Sequence, residues 1–149
     1  MDIFVLPKYL AVKYEMQEPH AWISINDPDD TTSLPINPFT EDVLTLHFDD
    51  METADQWDIQ QYNVIFKRNC VLFNKEMAEQ IYNFFQKNKS VENLMIHCHA
   101  GISRSAGVGS FLSQVIGKND FMNPPHFPNI LVRHFLRKVW LEKEGILIP

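Results

Sequence analysis

Cysteine is scarce in this chain of 149 residues. Only Cys70 and Cys98 occur, too few to staple a disulfide scaffold. Positive charge is short as well. The 13 Lys and Arg face 19 Asp and Glu, a net charge of −6. That balance argues against binding nucleic acid or an anionic membrane by bulk electrostatics. No apolar run approaches the ~20 residues that a membrane helix requires. The opening MDIFVLPKYL carries acidic Asp2 and no basic flank, so no signal peptide is expected. Repeats, low-complexity tracts and linker-like segments are also missing. The length suits one continuous core, and the expectation is a single soluble domain over 1–149, cytoplasmic and monomeric.

What is present is a globular composition with 45% apolar and 21% charged residues, outside the range of disordered chains. Residues 3–6, 21–25 (AWISI) and 43–48 (VLTLHF) are short, partly β-branched or aromatic, and set off by turn residues, as strands are. The breakers are Asn26-Asp27-Pro28-Asp29-Asp30 and the stretch from Pro35 to Pro38. Asn74 suits a helix cap with Glu76 in the first turn, and Met77, Ala78, Ile81, Phe84 and Phe85 then share one face. Residues 94–97 read as another strand. Val108, Phe111, Leu112, Val115 and Ile116 keep helical spacing up to Gly117. A last helix is predicted from Pro128, with Leu131, Val132, Phe135, Leu136, Val139 and Trp140 inward and Gly145 as its stop. Residues 56–73 are ambiguous, and 62–66 suit a strand or irregular chain. Strands separated by helices predict an α/β fold: a mostly parallel sheet of four or five strands, flanked by helices on both faces. Chemistry in such sheets gathers where strand ends lead into helix N-termini.

One segment meets that condition. Residues 94–109 read LMIHCHAGISRSAGVG, and the run from His97 to Ser105 fits H-C-x5-R-S. Five residues between Cys98 and Arg104 let the backbone curl until successive N–H groups face one anion. His99, Ala100, Gly101, Ile102, Ser103 and Arg104 would hold it, and Gly101 relieves the Cβ constraint of the curl. The helix after Ser103 adds unpaired N–H groups and its positive end. Arg104 adds a planar fork of donors suited to phosphate oxygens. A thiol at a helix N-terminus beside a guanidinium ionises more readily, which makes Cys98 the candidate nucleophile. Ser105 can donate a hydrogen bond to the sulfur as it leaves a covalent intermediate. His97 is expected to orient the loop through hydrogen bonds rather than act as a base.

This run resembles the signature loop of cysteine-dependent protein tyrosine phosphatases, most closely the small dual-specificity-like branch of bacterial and phage type. Residues 21–28 (AWISINDP), 46–50 (LHFDD), 73–85 and Phe127-Pro128-Asn129 resemble landmarks of that branch in the same order, so the resemblance covers roughly residues 20–140. It implies hydrolysis of phosphotyrosine, and of phosphoserine or phosphothreonine, in a phosphorylated protein or peptide, through a phosphocysteine and without a cofactor. It also implies a general acid from an aspartate on an upstream loop. The second aspartate of LHFDD, Asp50, is the candidate and Asp49 the alternative, since consecutive residues leaving a strand point opposite ways. Asp55 and Asp58 lie further along.

Plainer readings compete at each position. Alone, Cys98 fits a buried structural thiol. In register with His97, Gly101, Arg104 and Ser105, phosphate chemistry is the stronger reading. Cys70 reads as core, with a reversible disulfide to Cys98 as the alternative. His97 and His99 raise zinc, but His20, His47, His126 and His134 lack regular donor spacing, so no metal is expected. His99 then reads as a pocket-rim side chain. The acidic stretch 49–58 lacks the glycine turn and closing glutamate of a calcium loop. No lysine falls in 99–103, which counts against phosphoinositides and, less strongly, RNA 5′-phosphates. Two rivals remain. One is a phosphate-binding module with the same cradle and no working acid. The other is a rhodanese-like sulfurtransferase, against which Arg104 and Ser105 count.

Overall fold

The computed structural model describes residues 1–118 and 126–149. Its strands are β1 (Asp2–Pro7), β2 (His20–Asn26), β3 (Thr40–His47) and β4 (Asn93–Cys98). They form one four-stranded sheet in the order β1-β4-β2-β3, and every neighbouring pair is parallel. All residues of β2 and β4 are buried, whereas the edge strands β1 and β3 are exposed or half-buried apart from Leu46. The inner strands carry the near-continuous apolar runs of a sheet covered on both sides. The predicted strands at 3–6, 21–25, 43–48 and 94–97 therefore all occur, with ends shifted by one to three residues.

The helices among the described residues are α1 (Lys8–Ala11), α2 (Gln56–Phe66), α3 (Lys75–Lys87), α4 (Arg104–Val115) and α5 (Ile130–Glu144). Alternation along the strands divides the core. Ala21, Ile23, Ile25, Leu94 and Ile96 face a large cluster with Ile81 and Phe85 of α3, Phe111 and Leu112 of α4, and Val132 and Leu136 of α5. Trp140 joins the three helices, its ring 4.9 Å from Tyr82 and 5.1 Å from Phe111. Removing so large a buried ring typically costs about 3–5 kcal/mol. On the opposite face Trp22 and Met95 pack on Ala11 of α1, with Leu34 from the crossover between β2 and β3. That crossover, residues 27–39, contains no helix, so one short helix and loop segments cover this side. Among the described residues no helix is long and apolar enough to cross a membrane.

The caps follow the sequence. Asn74 Oδ1 accepts from Met77 N–H at 2.9 Å to start α3, and Gly145 ends α5 at φ +67°. Residues 62–66 differ from the expected strand or irregular chain, for they close α2. Asp55 caps α2 by accepting from Trp57 N–H at 2.9 Å, so this aspartate is a helix cap. Asp58 sits in the first turn of α2, exposed, where the helix dipole favours a carboxylate. No residue of α2 is buried, and Trp57, Val64, Ile65 and Phe66 are exposed. A helix without an inward apolar stripe has no 3.6-residue signature to find.

Candidate functional site

Strand β4 delivers Cys98 to the carboxyl edge of the sheet, opposite Pro7 of β1. The chain turns through 99–103 and enters α4 at Arg104. Gly101 makes the turn possible. Its φ is +70°, and a Cβ there would lie 2.6 Å from Pro7 N and 2.8 Å from the Leu6 carbonyl carbon. Lys8 N–H donates to His99 O at 3.0 Å, tying the loop to the end of β1. Lys8 also pairs with Asp30 of the crossover.

The curl brings donors onto sulfur. Gly101 N–H donates to Cys98 Sγ at 3.2 Å, and Ser105 Oγ lies 3.0 Å from it. Cys98 itself is buried. Helix α4 follows Ser103 at its N-cap, with no side-chain cap bond and no acidic residue in its first turn. Its leading amides and positive end are thus open to an anion. Ala100 and Ile102 are exposed beside the turn.

Arg104 is buried and held from one side: Nη1 donates to Phe48 O at 2.8 Å and to Asp27 Oδ1 at 2.9 Å. Its Nε is buried with no partner among the described residues. An unsatisfied buried N–H of this kind costs about 1–3 kcal/mol unless a ligand accepts it. Arg104 lines a cleft of about 490 Å³ together with His99, Asp50, Arg68, Tyr62 and Phe66. His99 is an exposed rim residue, as expected from the sequence.

The two neighbouring aspartates part ways after β3. Asp49 is buried, and its carboxylate accepts from Arg68 Nη1 at 2.8 Å and from Val71 N–H at 2.7 Å, with further bonds from Arg68 Nη2 and the Tyr62 hydroxyl. Burial would raise its pKa, but Arg68, Tyr62 and the Val71 amide together outweigh burial and hold it below the usual carboxylate range. Asp49 is a fixed anion that anchors α2 and the segment after it. Asp50 is exposed in the cleft, and Oδ1 accepts from Ser103 Oγ at 2.7 Å and Asn129 Nδ2 at 3.0 Å.

His97 lies behind the loop. Its Nε2 is 2.6 Å from Ser24 Oγ and its Nδ1 is 3.3 Å from Cys98 O. The pairing of β2 with β4 sets Ser24 opposite His97 in register. Burial pushes the imidazole pKa down to about 4 against the pull of the Cys98 carbonyl, with the Lys8 and Arg104 charges adding to the fall. A neutral ring whose Nδ1–H donates to the carbonyl must accept at Nε2, so Ser24 donates to it, and Asn26 Nδ2 donates to Ser24 at 3.1 Å. This run of bonds links β2 to the Cys98 carbonyl at the base of the loop.

Both cysteines are free thiols. Burial and the Asp49 charge push Cys70 up to about 11, leaving it protonated at neutral pH. Among the described residues no three His, Cys, Asp or Glu side chains gather as a metal site. The motif holds Cys98, Gly101, Arg104 and Ser105, while Ser24, Asp27, Tyr62 and Arg68 carry no site signal in the sequence. Asp27 falls among the turn residues 26–30 and in the resembling stretch 21–28, neither of which assigns it a site role, and Arg68 falls in the ambiguous stretch. No family model matches the chain, and no curated protein matches it.

Proposed function

We propose that this chain is a cytoplasmic phosphomonoester hydrolase of the cysteine-dependent protein tyrosine phosphatase kind, acting on phosphotyrosine, and on phosphoserine or phosphothreonine, of a protein or peptide. One observation carries the reading. Cys98 Sγ receives the Gly101 amide at the uncapped start of α4, beside an arginine whose buried Nε has no partner among the described residues. An amide cradle and an unsatisfied guanidinium N–H suit a tetrahedral dianion, and the sulfur below them is placed as its nucleophile.

The chemistry follows from that arrangement. Cys98 Sγ attacks phosphorus in line with the departing oxygen, an S–P bond forms, and the P–O bond to the alcohol or phenol breaks. Asp50 gives the leaving oxygen its proton. Both donors to Asp50 fall on Oδ1, which leaves Oδ2 to carry that proton. In the second step water gives a proton to the Asp50 carboxylate and its oxygen attacks phosphorus. The S–P bond then breaks, with the electron pair returning to sulfur. Ser105 Oγ, 3.0 Å from Sγ, stabilises the sulfur as it leaves. Arg104 and the loop amides hold the phosphoryl oxygens throughout, and such positioning supplies most of the rate in phosphoryl transfer. The step balances without metal or cofactor.

The test is turnover of an aryl phosphate by reduced protein at about pH 6, with inhibition by vanadate and loss of activity in Cys98→Ser. Saturable phosphopeptide binding without phosphate release would replace this reading with a binding module. Persulfide formation from thiosulfate would replace it with a sulfurtransferase.

A further inference from the structure

Asn129 is fully buried, and its polar atoms join three separate parts of the chain. Its Oδ1 accepts from Val132 N–H at 3.1 Å and so caps α5. Its backbone N–H donates to Ser103 O at 3.0 Å, at the exit of the loop around Cys98. Its Nδ2 donates to Asp50 Oδ1 at 3.0 Å and to Met51 O at 3.2 Å, with Ser103 Oγ 3.4 Å away. Helix α5 reaches this position because Gly107 has no side chain. A Cβ at Gly107 would lie 3.2 Å from Asn129 O and 3.1 Å from Val132 Cβ.

The two bonds to the 50–51 segment have a consequence beyond capping. An N-cap needs only the side-chain oxygen. The amide nitrogen is directed instead at one oxygen of an exposed carboxylate and at the next carbonyl along the same loop. Ser103 Oγ meets that same carboxylate oxygen from the loop side, so Oδ1 is held by the cradle and by α5 together. A carboxyl group on an exposed loop otherwise samples several rotamers, and a proton donor must be within about 3 Å of the leaving oxygen to act.

We infer that Asn129 is a positioning residue for the general acid: its Nδ2 holds Asp50 Oδ1 and Met51 O against the loop around Cys98, so that Oδ2 faces the leaving group. The inference rests on the hydrolase reading above. It predicts a dependence on the leaving group, because a phenol of high pKa needs a proton as it departs and a dinitrophenolate does not.

The experiment compares wild type with Asn129→Ser on phenyl phosphate and on dinitrophenyl phosphate. Serine keeps an oxygen for the α5 cap and removes the amide donor. The expected result is a fall in kcat of roughly 10–100-fold on phenyl phosphate, smaller than the roughly 10²–10⁴-fold of losing a general acid outright, and less than about threefold on dinitrophenyl phosphate. In an Asp50→Asn background the same substitution should have almost no further effect on either substrate, since two residues acting through one step are not additive. Asn129→Thr, which likewise keeps a cap oxygen and lacks the amide donor, should give the same split and serves if the serine variant does not fold. An equal fall on both substrates, an unchanged rate on both, or full additivity with Asp50→Asn would overturn the inference. If wild type turns over neither substrate, the hydrolase reading fails first and takes this inference with it.

Discussion

Replacing each of two adjacent aspartates with asparagine should give opposite phenotypes. Asp49 is buried under two bonds from Arg68, one from the Tyr62 hydroxyl and one from the Val71 amide. Asp49→Asn keeps the shape but removes the charge, and it turns an acceptor into a donor facing a guanidinium or a hydroxyl. Breaking a fully buried ion pair costs about 3–5 kcal/mol. The Arg68 side chain is 27% exposed, and solvent takes up part of that loss. The expected destabilisation is about 2–4 kcal/mol, a fall in Tm of roughly 5–15 °C for a domain of this size. Because the Asp49 pKa is lowered on folding, its contribution is present above the unfolded value of about 4 and is lost as pH falls through the folded value. Asp50 is exposed, so Asp50→Asn should change stability by less than about 0.5 kcal/mol. It should lower kcat on phenyl phosphate by roughly 10²–10⁴. Urea denaturation and steady-state kinetics on both variants read the two effects. A stable Asp49→Asn that has lost turnover, beside an active Asp50→Asn, would refute the assignment of roles.

Two further predictions concern the loop and its support. His97 has a pKa of about 4 in the folded protein against 6.5 unfolded. Between those values the unfolded chain binds a proton that the folded chain refuses, so stability falls as pH falls, by up to about 3 kcal/mol. Urea titrations across this window should show the slope, and His97→Asn should flatten it; an equal slope in the variant would place the proton elsewhere. Gly101→Ala combines a positive φ with contacts of 2.6 and 2.8 Å to β1, whereas Gly117→Ala, at φ +75°, meets nothing within 4 Å. Gly117→Ala should cost about 1–2 kcal/mol, and Gly101→Ala clearly more, with loss of turnover. Equal Tm values for the two variants would show that the loop does not press on β1.

The α2 segment shows how a sequence pattern can be silent. Its apolar residues Trp57, Val64, Ile65 and Phe66 look like core material, yet all four are exposed. An isolated helix of 11 residues is marginal in water. Polar bonds hold this one: Tyr62 to Asp49, and the Cys70 N–H to Asn63 Oδ1 at 2.7 Å. Periodicity reports burial, and where burial does not hold an element, periodicity has nothing to report.

The strands, the three long packed helices and the turn around Cys98 were legible from residue order, because each depends on neighbours a few positions apart. Apolar spacing selects an inward face, Asn74 and Gly145 mark helix ends, and five residues between Cys98 and Arg104 set the size of a loop. Which aspartate faces the cleft, what steadies Arg104, and why Asn129 matters beyond its cap were decided only by the packed chain. Asn129 meets Asp50 from 79 positions away, and Asp27 meets Arg104 from 77. No local preference encodes such meetings. They follow from the order of the parallel strands, which brings distant loops to one edge of the sheet and leaves each polar group to find its partner there.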